Sequence, residues 1–340
     1  MRRRSLGVGL VILAAGWVGL AAWGCKSESS PEAVVLYSSI DEPFLREVVA
    51  AFERKTGIRV DLKGDAEAGK TTGLVRRIRA ERSRPRADVF WSSELFNTIL
   101  LAKEGLLAEY RPPAEGIPDR YKDPEGRWTA FGVRGRVIGY NTTVVRPEEL
   151  PTSWRELADT RWQGRLGLAD PQFGTTGGHL AAMYVLWGEE DYISFLQALR
   201  PILGGQLQDG NATAARRVGR GELALCATDT DDVVVRQINR EPVNMVYPDM
   251  GDGGTLFIPC SVGLITGGPN PEGGRRLIDF LVSAEVEHLL ARSDSRNIPV
   301  RAALRQELGM DMPPESQVDF EAVAGVMDKA IQLARQHLLP

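Results

Sequence analysis

The first third of the chain alternates short apolar runs with longer amphipathic segments. AVVLYSS at 33–39, IRVDLK at 58–63 and ADVFWSS at 87–93 are β-rich runs bounded by polar residues, which predicts strands. Between and after them, Phe44, Leu45, Val48, Val49 and Phe52 recur at helical spacing, and similar segments follow at 71–83 and 94–105. This β-α-β-α-β-α order predicts an α/β fold with a mainly parallel sheet.

The pattern changes after Trp128. WTAFGVRGRVIGYNT, at 128–142, is a long β-rich stretch, and helical segments then alternate with short strands up to GTLFIPCSVGLIT at 254–266. Two helical segments, at 271–294 and 320–339, end the chain. A chain of 340 residues is longer than one hydrophobic core usually serves, so two lobes are expected.

The N-terminus carries a different pattern. MRRRS is basic, the uncharged apolar run at 6–24 follows, and Cys25 stands at the boundary with a polar segment. This order resembles a bacterial lipoprotein signal, so 1–25 is interpreted as a signal peptide with Cys25 as the lipidated residue and 26–32 as a tether. A plain transmembrane anchor is the alternative, because the run is about long enough to span a bilayer. Both hypotheses place the rest of the chain outside the cytoplasm, held at a membrane.

Charge and cysteine content narrow the function classes. The net charge of −4 gives no basic surface for nucleic acid, so no nucleic-acid partner is expected. Beyond Cys25, Cys226 and Cys260 remain, each in an apolar strand-like run. In an oxidising compartment they could form a disulfide, or they could be buried free thiols.

Polar residues gather where the predicted strands end. In open parallel α/β sheets, the carboxyl ends of strands form the ligand-binding edge. The ends here contain YSSID, WSSE, ADPQFGTTGG, QDGNAT and TDTDD. We predict a ligand cleft lined by Ser38, Ser39, Asp41, Lys70, Thr71, Trp91, Ser92, Thr175, Thr176, Asn211, Asp229, Asp231 and Asp232. Trp91 could equally belong to the core.

The aspartates Asp229, Asp231 and Asp232 leave several interpretations open. Carboxylates this close repel one another unless positive charge lies among them. Asp231 and Asp232 could bind a metal ion or a cationic ligand group, or belong to a hydrolase site. An aspartate could also do no more than cap the helix that follows.

Enzymatic motifs have little support. GDAEAGKT, at 64–71, matches the phosphate-loop pattern between a strand and a helix, but Asp65 and Glu67 stand where a triphosphate would lie. No nucleophile elbow and no metal-binding histidine spacing occurs in the sequence. The chain is therefore predicted not to be an enzyme, with a phosphate-loop or metal-dependent phosphohydrolase as the competing class.

The sequence resembles a known family in VVLYSSIDEPFLREVVAAFERKTGIRV, RADVFWSSELFNTILLAKEGLL, PTSWRELADTRWQGRLGLADPQFGTTGG and PEGGRRLIDFLVSAEVEHLL. It is similar to the extracellular solute-binding proteins of ABC importers, in the ferric-iron subgroup with the type 2 periplasmic-binding fold. The resemblance implies two α/β lobes that clamp a ligand between them. Lobe one would hold 33–134 and 262–340, lobe two would hold 135–261, and 132–141 and 257–265 would cross between them.

The resemblance also implies a role and a set of partners. The protein would be a monomer that delivers a small ligand to ABC permease subunits, exported to the periplasmic or extracellular side and held to the membrane by lipid. It would need no cofactor, although a metal ion could be the transported ligand. A ligand sensor is an alternative role.

The resemblance is imperfect at the ligand site. Ferric members place two adjacent tyrosines where Asp231 and Asp232 stand, and often a histidine where Asp41 stands. Thr175, Thr176 and Asn211 match the positions that bind an anion in that family. The ligand would therefore be ferric iron or another metal with a bound anion, or a small phosphonate- or carboxylate-type solute such as an aminophosphonate.

Overall fold

The computed structural model describes residues 33–64 and 71–339. The element order predicted for residues 33–105 is confirmed. β1 (Val34–Ser38), β2 (Val60–Gly64) and β3 (Val89–Ser92) are parallel, with β1 between the other two. They alternate with α1 (Glu42–Thr56), α2 (Thr72–Ala80) and α3 (Phe96–Lys103). The apolar face of α1 is buried, as its spacing predicts.

The middle of the chain supplies the remaining described strands. β4 (Leu107–Ala108) precedes the long β5 (Thr129–Asn141). β6 (Leu166–Leu168), α4 (Thr175–Trp187), α5 (Glu189–Leu203) and α6 (Asn211–Gly219) come next. β7 (Leu225–Asp229), α7 (Thr230–Ile238), β8 (Val243–Val246) and β9 (Phe257–Ile265) complete the sheet.

The C-terminal part is helical, with more helices than the sequence pattern predicts. The predicted segment 271–294 is two helices, α8 (Pro271–Leu281) and α9 (Ala284–Arg292). Ser283 separates them because its hydroxyl accepts a hydrogen bond from the Val286 amide and so begins a new helix. α10 (Ala302–Leu308) was not predicted, and α11 (Phe320–Leu338) was.

The described strands join in the order β2-β1-β3-β9-β5-β7-β6, with β4 beside β9 and β8 beside β5. β9 is antiparallel to β3 and to the first half of β5. β5 changes partner along its length, since 129–135 pairs with β9 whereas 136–141 pairs with β7 or β8. β5 therefore links two groups of strands: β1 to β4 with β9 on one side, and β6 to β8 on the other. Within the described chain, β9 pairs with β3, β4 and the first half of β5.

Glycine at the start of α4 permits close helix packing. A Cβ added at Gly178 would lie 2.2 Å from the ring of Phe96 on α3, a distance that no side chain could tolerate. α11 packs against α4, α5 and α3, with the Tyr192 hydroxyl donating to the carbonyl of Ala330 at 2.9 Å. This packing fixes the first turn of α4 next to Arg136 in the middle of β5 and Asp229 at the end of β7.

Candidate functional site

The three aspartates lie at the junction of β7 and α7. Asp229 ends the strand, and Asp231 and Asp232 lie in the first turn of the helix. Asp232 serves the helix end: its Oδ2 accepts from the Thr228 hydroxyl at 2.7 Å and from the Asp229 amide at 3.5 Å. Asp229 is the N-cap residue of α7 and forms a capping box with Asp232 at the third helical position. The sequence interpretation that an aspartate caps the helix therefore applies to Asp229 together with Asp232, and Asp231 has a different partner.

The positive charge among the carboxylates comes from the protein itself. Arg136 Nη1 donates to Asp229 Oδ1 at 2.8 Å, and Arg134 Nη1 donates to Asp231 Oδ2 at 3.1 Å. Both arginines belong to β5 and flank the residue at which that strand changes partner. Their spacing of two puts both side chains on the same face of the strand, next to the start of α7.

Asp229 anchors a network that is closed on itself. The Thr175 hydroxyl donates to Asp229 Oδ2 at 2.6 Å and accepts from Arg136 Nη1 at 3.0 Å and from Asn211 Nδ2 at 2.8 Å. Its one donor and two acceptor positions are thus all used. Thr176 donates to Asn211 Oδ1 at 3.0 Å. The first turns of α4 and α6 are consequently tied to the end of β7.

Arg134 connects this region to the end of β3. Its Nη2 donates to the carbonyl oxygen of Ser93, and the Ser93 hydroxyl lies 3.3 Å from Ser39 Oγ and 3.5 Å from Thr71 Oγ1. Thr71 has a φ of +70°, a conformation that a β-branched residue seldom adopts outside strained functional regions. Side chains from the loops after β1 and β3, the start of α2, β5 and α7 therefore meet at Arg134.

The pKa values of Asp229 and Asp231 move in opposite directions. Burial raises the pKa of Asp229, but Arg136, Arg134 and the Thr175 hydroxyl outweigh burial and hold it below its ordinary value. Burial also raises the pKa of Asp231, and there the charges of Asp229 and Asp41 add to burial, while Arg134 opposes it less effectively. Asp231 therefore keeps a pKa above its ordinary value.

Several buried polar atoms around Arg134 and Arg136 are unsatisfied within the described ranges. Asp231 Oδ1, Arg134 Nε, and Arg136 Nε and Nη2 all lack a hydrogen-bond partner among residues 33–64 and 71–339. Buried groups of this kind are normally paired, with protein, water or a bound ligand. One carboxylate oxygen and several guanidinium N–H groups thus have hydrogen-bonding capacity that no described residue uses.

Most of the predicted cleft residues lie in these two networks, but three have other roles. Trp91 is fully buried and stacks on Phe131 with ring centroids 6.0 Å apart, so its side chain belongs to the core. Ser92 Oγ accepts from the Glu94 amide at 3.2 Å, and Ser38 Oγ accepts from the Ile40 amide at 3.2 Å. Both hydroxyls stabilise the backbone where strands end, which corrects their assignment to the cleft.

The predictions for Lys70, Cys25 and the pair Cys226 and Cys260 remain to be placed. Lys70 and Cys25 lie outside the described residues. Cys226 and Cys260 are both buried free thiols, so the second of the two alternatives applies. The reason is that Cys226 packs in a small apolar cluster around α6 and α7, whereas Cys260 packs in the main core.

Arg134, Arg136 and Ser93 belong to the site but were not predicted from the sequence. The signal was present in GVRGRVIG, where two arginines spaced by two interrupt an apolar strand. Arginine is almost never fully buried unless it is paired, so such a pattern predicts carboxylate partners. The partner aspartates were identified, but their pairing depends on which strands are neighbours.

Comparisons with known proteins agree with this architecture. Residues 87–321 match the family model described as bacterial extracellular solute-binding protein. The chain belongs to this family. Iron uptake protein A1 of Synechocystis sp. is 29% identical over 270 residues, covering 76% of this chain and 73% of that protein. A putative 2-aminoethylphosphonate-binding periplasmic protein of Salmonella typhimurium is 30% identical over 264 residues, covering 74% and 72%.

Solved structures show the same fold. The ferric binding protein from Campylobacter jejuni superposes with a TM-score of 0.80 at 20% identity, covering 89% of this chain and 99% of that one. The predicted two-lobed type 2 periplasmic-binding fold is therefore confirmed. At this level of identity the likeness concerns the fold and not the ligand.

Family membership settles the broad function. The protein is a solute-binding protein of the kind that serves ABC importers, acting outside the cytoplasm. Members of the family bind and deliver solutes, which confirms the prediction that the chain is not an enzyme and rules out the phosphohydrolase alternative. Across the described residues, the helices are all too short or too polar to cross a membrane.

Proposed function

We propose that this protein binds a small organic anion that also carries a hydrogen-bond donor, such as an amine, and delivers it to an ABC importer. A zwitterionic phosphonate or an amino-bearing phosphate ester has this chemistry. The observation that supports the proposal is the pairing of Arg134 with Asp231 at the meeting point of the two strand groups. A guanidinium is suited to an anionic oxygen, and a carboxylate is suited to an ammonium group.

The charges at the site favour such a ligand. Arg134 and Arg136 bring two permanent positive charges, and Asp229 neutralises one of them. Burial and neighbouring acids disfavour ionisation of Asp231 in the described structure. A ligand ammonium beside Asp231 would restore its charge, while a ligand anion would accept from the arginine N–H groups that lack partners among the described residues.

A bare ferric ion suits the site less well. The carboxylates of Asp229, Asp231 and Asp232 lie close enough to hold a metal, with one ligand atom of each within 4.8 Å of the others. However, both oxygens of Asp229 already accept from Arg136, Thr175 or Asn211, and Asp232 caps α7. Two guanidinium groups within the same cluster would repel a trivalent cation. We therefore propose that Asp231 and Asp232 do not serve this chain as a metal site.

The relatives support ligand chemistry of both kinds. One is named for iron uptake and another for binding 2-aminoethylphosphonate, so the family includes metal and phosphonate binders. The arginine pair distinguishes between them for this chain, because cationic side chains recognise the anionic group of a phosphonate.

The lobe boundaries and the membrane tether are part of the same proposal. Lobe one would contain 33–134 and 262–340, lobe two would contain 135–261, and the ligand would close the two about β5. The change of strand partner after Gly135 supports a hinge there. Cys25 would carry the lipid, with 26–32 as the tether and the mature protein acting as a monomer.

Direct binding measurements test the ligand class. The soluble chain beginning after Cys25 would be titrated calorimetrically with 2-aminoethylphosphonate, inorganic phosphate, ethanolamine and ferric citrate. We expect 2-aminoethylphosphonate to bind more tightly than phosphate or ethanolamine alone, because it engages both halves of the site. Arg134→Ala should weaken its binding by about tenfold or more.

Arg155→Ala is a matched control, since Arg155 pairs with Asp191 on the surface. It should bind 2-aminoethylphosphonate as the parent does. One equivalent of iron in the protein as purified, with no response to the phosphonate, would contradict the proposal. Labelling of whole cells with a palmitate analogue would test the tether. A protein that takes up no label at Cys25 would exclude lipidation there.

A further inference from the structure

β5 contains a one-residue bulge just before the arginines. Thr129, Ala130 and Phe131 pair with Val262, Ser261 and Cys260, but the next pair is Val133 with Pro259. Gly132 is the extra residue, with a φ of +55° that favours glycine. The register therefore shifts by one position between Phe131 and Val133.

This shift decides which way the arginines face. Directly opposed residues in an antiparallel pair share a face, and successive residues alternate. Arg134 is opposite Ile258, which shares a face with Cys260 and therefore with Phe131. If Gly132 paired with Pro259 and did not bulge, the register before it would continue, and Val133 and Gly135 would occupy that face instead. Arg134 and Arg136 would then point to the opposite side of the sheet.

A buried ion pair holds the bulge. Glu287, on α9, is 1% exposed, and its Oε1 accepts from the Gly132 amide at 3.0 Å and from the Val300 amide at 2.7 Å. Its Oε2 accepts from Arg301 Nη1 at 2.8 Å. Arg301 also donates to the carbonyl oxygens of Glu115 and Val282, which fixes the guanidinium in place. The bulge amide is consequently satisfied by a carboxylate that is itself immobilised.

We propose that Glu287 and Arg301 are positioning residues for ligand binding, which act by holding the bulge at Gly132. The bulge in turn directs Arg134 and Arg136 toward Asp231 and Asp229. The proposal rests on the proposed function for its binding readout. Neither residue has to touch the ligand. A bulge without its carboxylate partner would leave a buried amide unpaired, and the strand could relieve this by changing register.

The matched variants are Glu287→Gln and Asp88→Asn. Asp88 is also a fully buried carboxylate that accepts from two backbone amides, those of Val35 and Asn270. It precedes β3, at the opposite end of that strand from Ser92 and Ser93, so it is remote from the arginines. Both variants keep the side-chain shape and remove the charge, and both should lower the thermal unfolding midpoint.

The binding arm uses calorimetry with 2-aminoethylphosphonate. We expect Glu287→Gln to weaken binding by about tenfold or more, since a small displacement of a binding group has effects of this size. Asp88→Asn should bind as the parent does at a temperature where both variants are folded. Parent-like affinity in Glu287→Gln, or equal losses in both variants, would overturn the proposal.

A second arm needs no ligand and therefore separates this proposal from the proposed function. Arg134→Gln is made in the parent and in Glu287→Gln, and the unfolding midpoints of the four proteins are compared. If Glu287 positions Arg134, the midpoint loss caused by Arg134→Gln should be smaller in the Glu287→Gln background, because the pairing with Asp231 is already impaired. Additive losses would refute the positioning role, even if the parent does not bind the phosphonate.

Discussion

Asp229 and Asp231 are two residues apart, both are buried and each pairs with an arginine, yet they have opposite properties. Asp229 receives hydrogen bonds at both carboxylate oxygens from Arg136, Thr175 and Asn211. Asp231 receives one from Arg134, and its other oxygen has no partner within the described part of the chain. The pKa of Asp229 is accordingly lowered, whereas the pKa of Asp231 is raised.

The difference separates a structural carboxylate from one that is available to a ligand. A buried charge is tolerated when its hydrogen-bonding capacity is met, and Asp229 meets this condition without any ligand. Asp231 meets it only in part. β5 thus contributes two arginines with different roles. Arg136 holds β5 against β7 and the start of α4, while Arg134 and Asp231 form the site that we propose for the ligand.

The largest expected effect is on stability at Asp229. Asp229→Ala would leave the fully buried Arg136 guanidinium without its carboxylate, so the free energy of unfolding should fall by about 3–5 kcal/mol. Urea denaturation at pH 7 measures this change. Asp232→Ala is the control at the same helix start, and it should cost only about 0.5–2 kcal/mol because it removes a cap. Equal losses in the two variants would show that Asp229 has no special structural role.

A smaller effect is expected in the pH dependence of Asp231→Asn. Because the folded-state pKa of Asp231 lies above its ordinary value of 3.8, its contribution to stability is fully present below pH 3.8 and is lost as the pH rises through the raised pKa. The parent should therefore lose stability relative to Asp231→Asn over that window. Asp229 has the opposite sign: its contribution is present above pH 3.8 and is lost as the pH falls through its lowered pKa.

Thermal unfolding of the parent, Asp231→Asn and Asp229→Asn at a series of pH values would check both signs. As the pH rises, Asp231→Asn should become more stable relative to the parent. Asp229→Asn should become less stable relative to the parent as the pH rises. If the unfolding midpoints of the two variants change with pH in the same way, Asp229 and Asp231 share one environment and the contrast between them does not hold.

Sequence patterns predicted the fold to a large extent and the site only in part. The strand and helix order of the first 105 residues followed from the apolar pattern, because the strands are short apolar runs and α1 and α2 each bury one face. The aspartates, Thr175 and Asn211 were identified because strand ends and helix starts carry polar side chains in this class of sheet. These features are local, so the chain reveals them without its tertiary structure.

The remainder depends on long-range pairing. Arg134 and Arg136 are separated from Asp229 by more than 90 residues, and only the pairing of β5 with β7 brings them together. The bulge at Gly132 could not be predicted from the sequence either, since a glycine occurs within strands for several different structural reasons. Trp91, Ser38 and Ser92 were assigned to the cleft because a strand end does not show which side chains turn into the core.

The smallest expected effect uses the two cysteines as reporters of the neighbouring aspartates. Burial raises the pKa of the Cys260 thiol to about 11; Arg134 lowers it and Asp231 raises it. Burial also raises the pKa of Cys226, where the nearby acid is Asp232 and not Asp231. Asp231→Asn should therefore lower the pKa of Cys260 and modestly accelerate its alkylation, while Cys226 serves as an internal control.

Mass spectrometry after timed iodoacetamide treatment of the folded protein at pH 9 would measure both thiols separately. The rate at Cys260 should rise in Asp231→Asn with no change at Cys226, because the substitution is nearly isosteric and opens no cavity. Equal acceleration at both sites would indicate general loosening of the fold. A peptide linked through both cysteines would contradict the free thiols, and with them the placement of Cys260 beside Asp231 on the arginine face of β5.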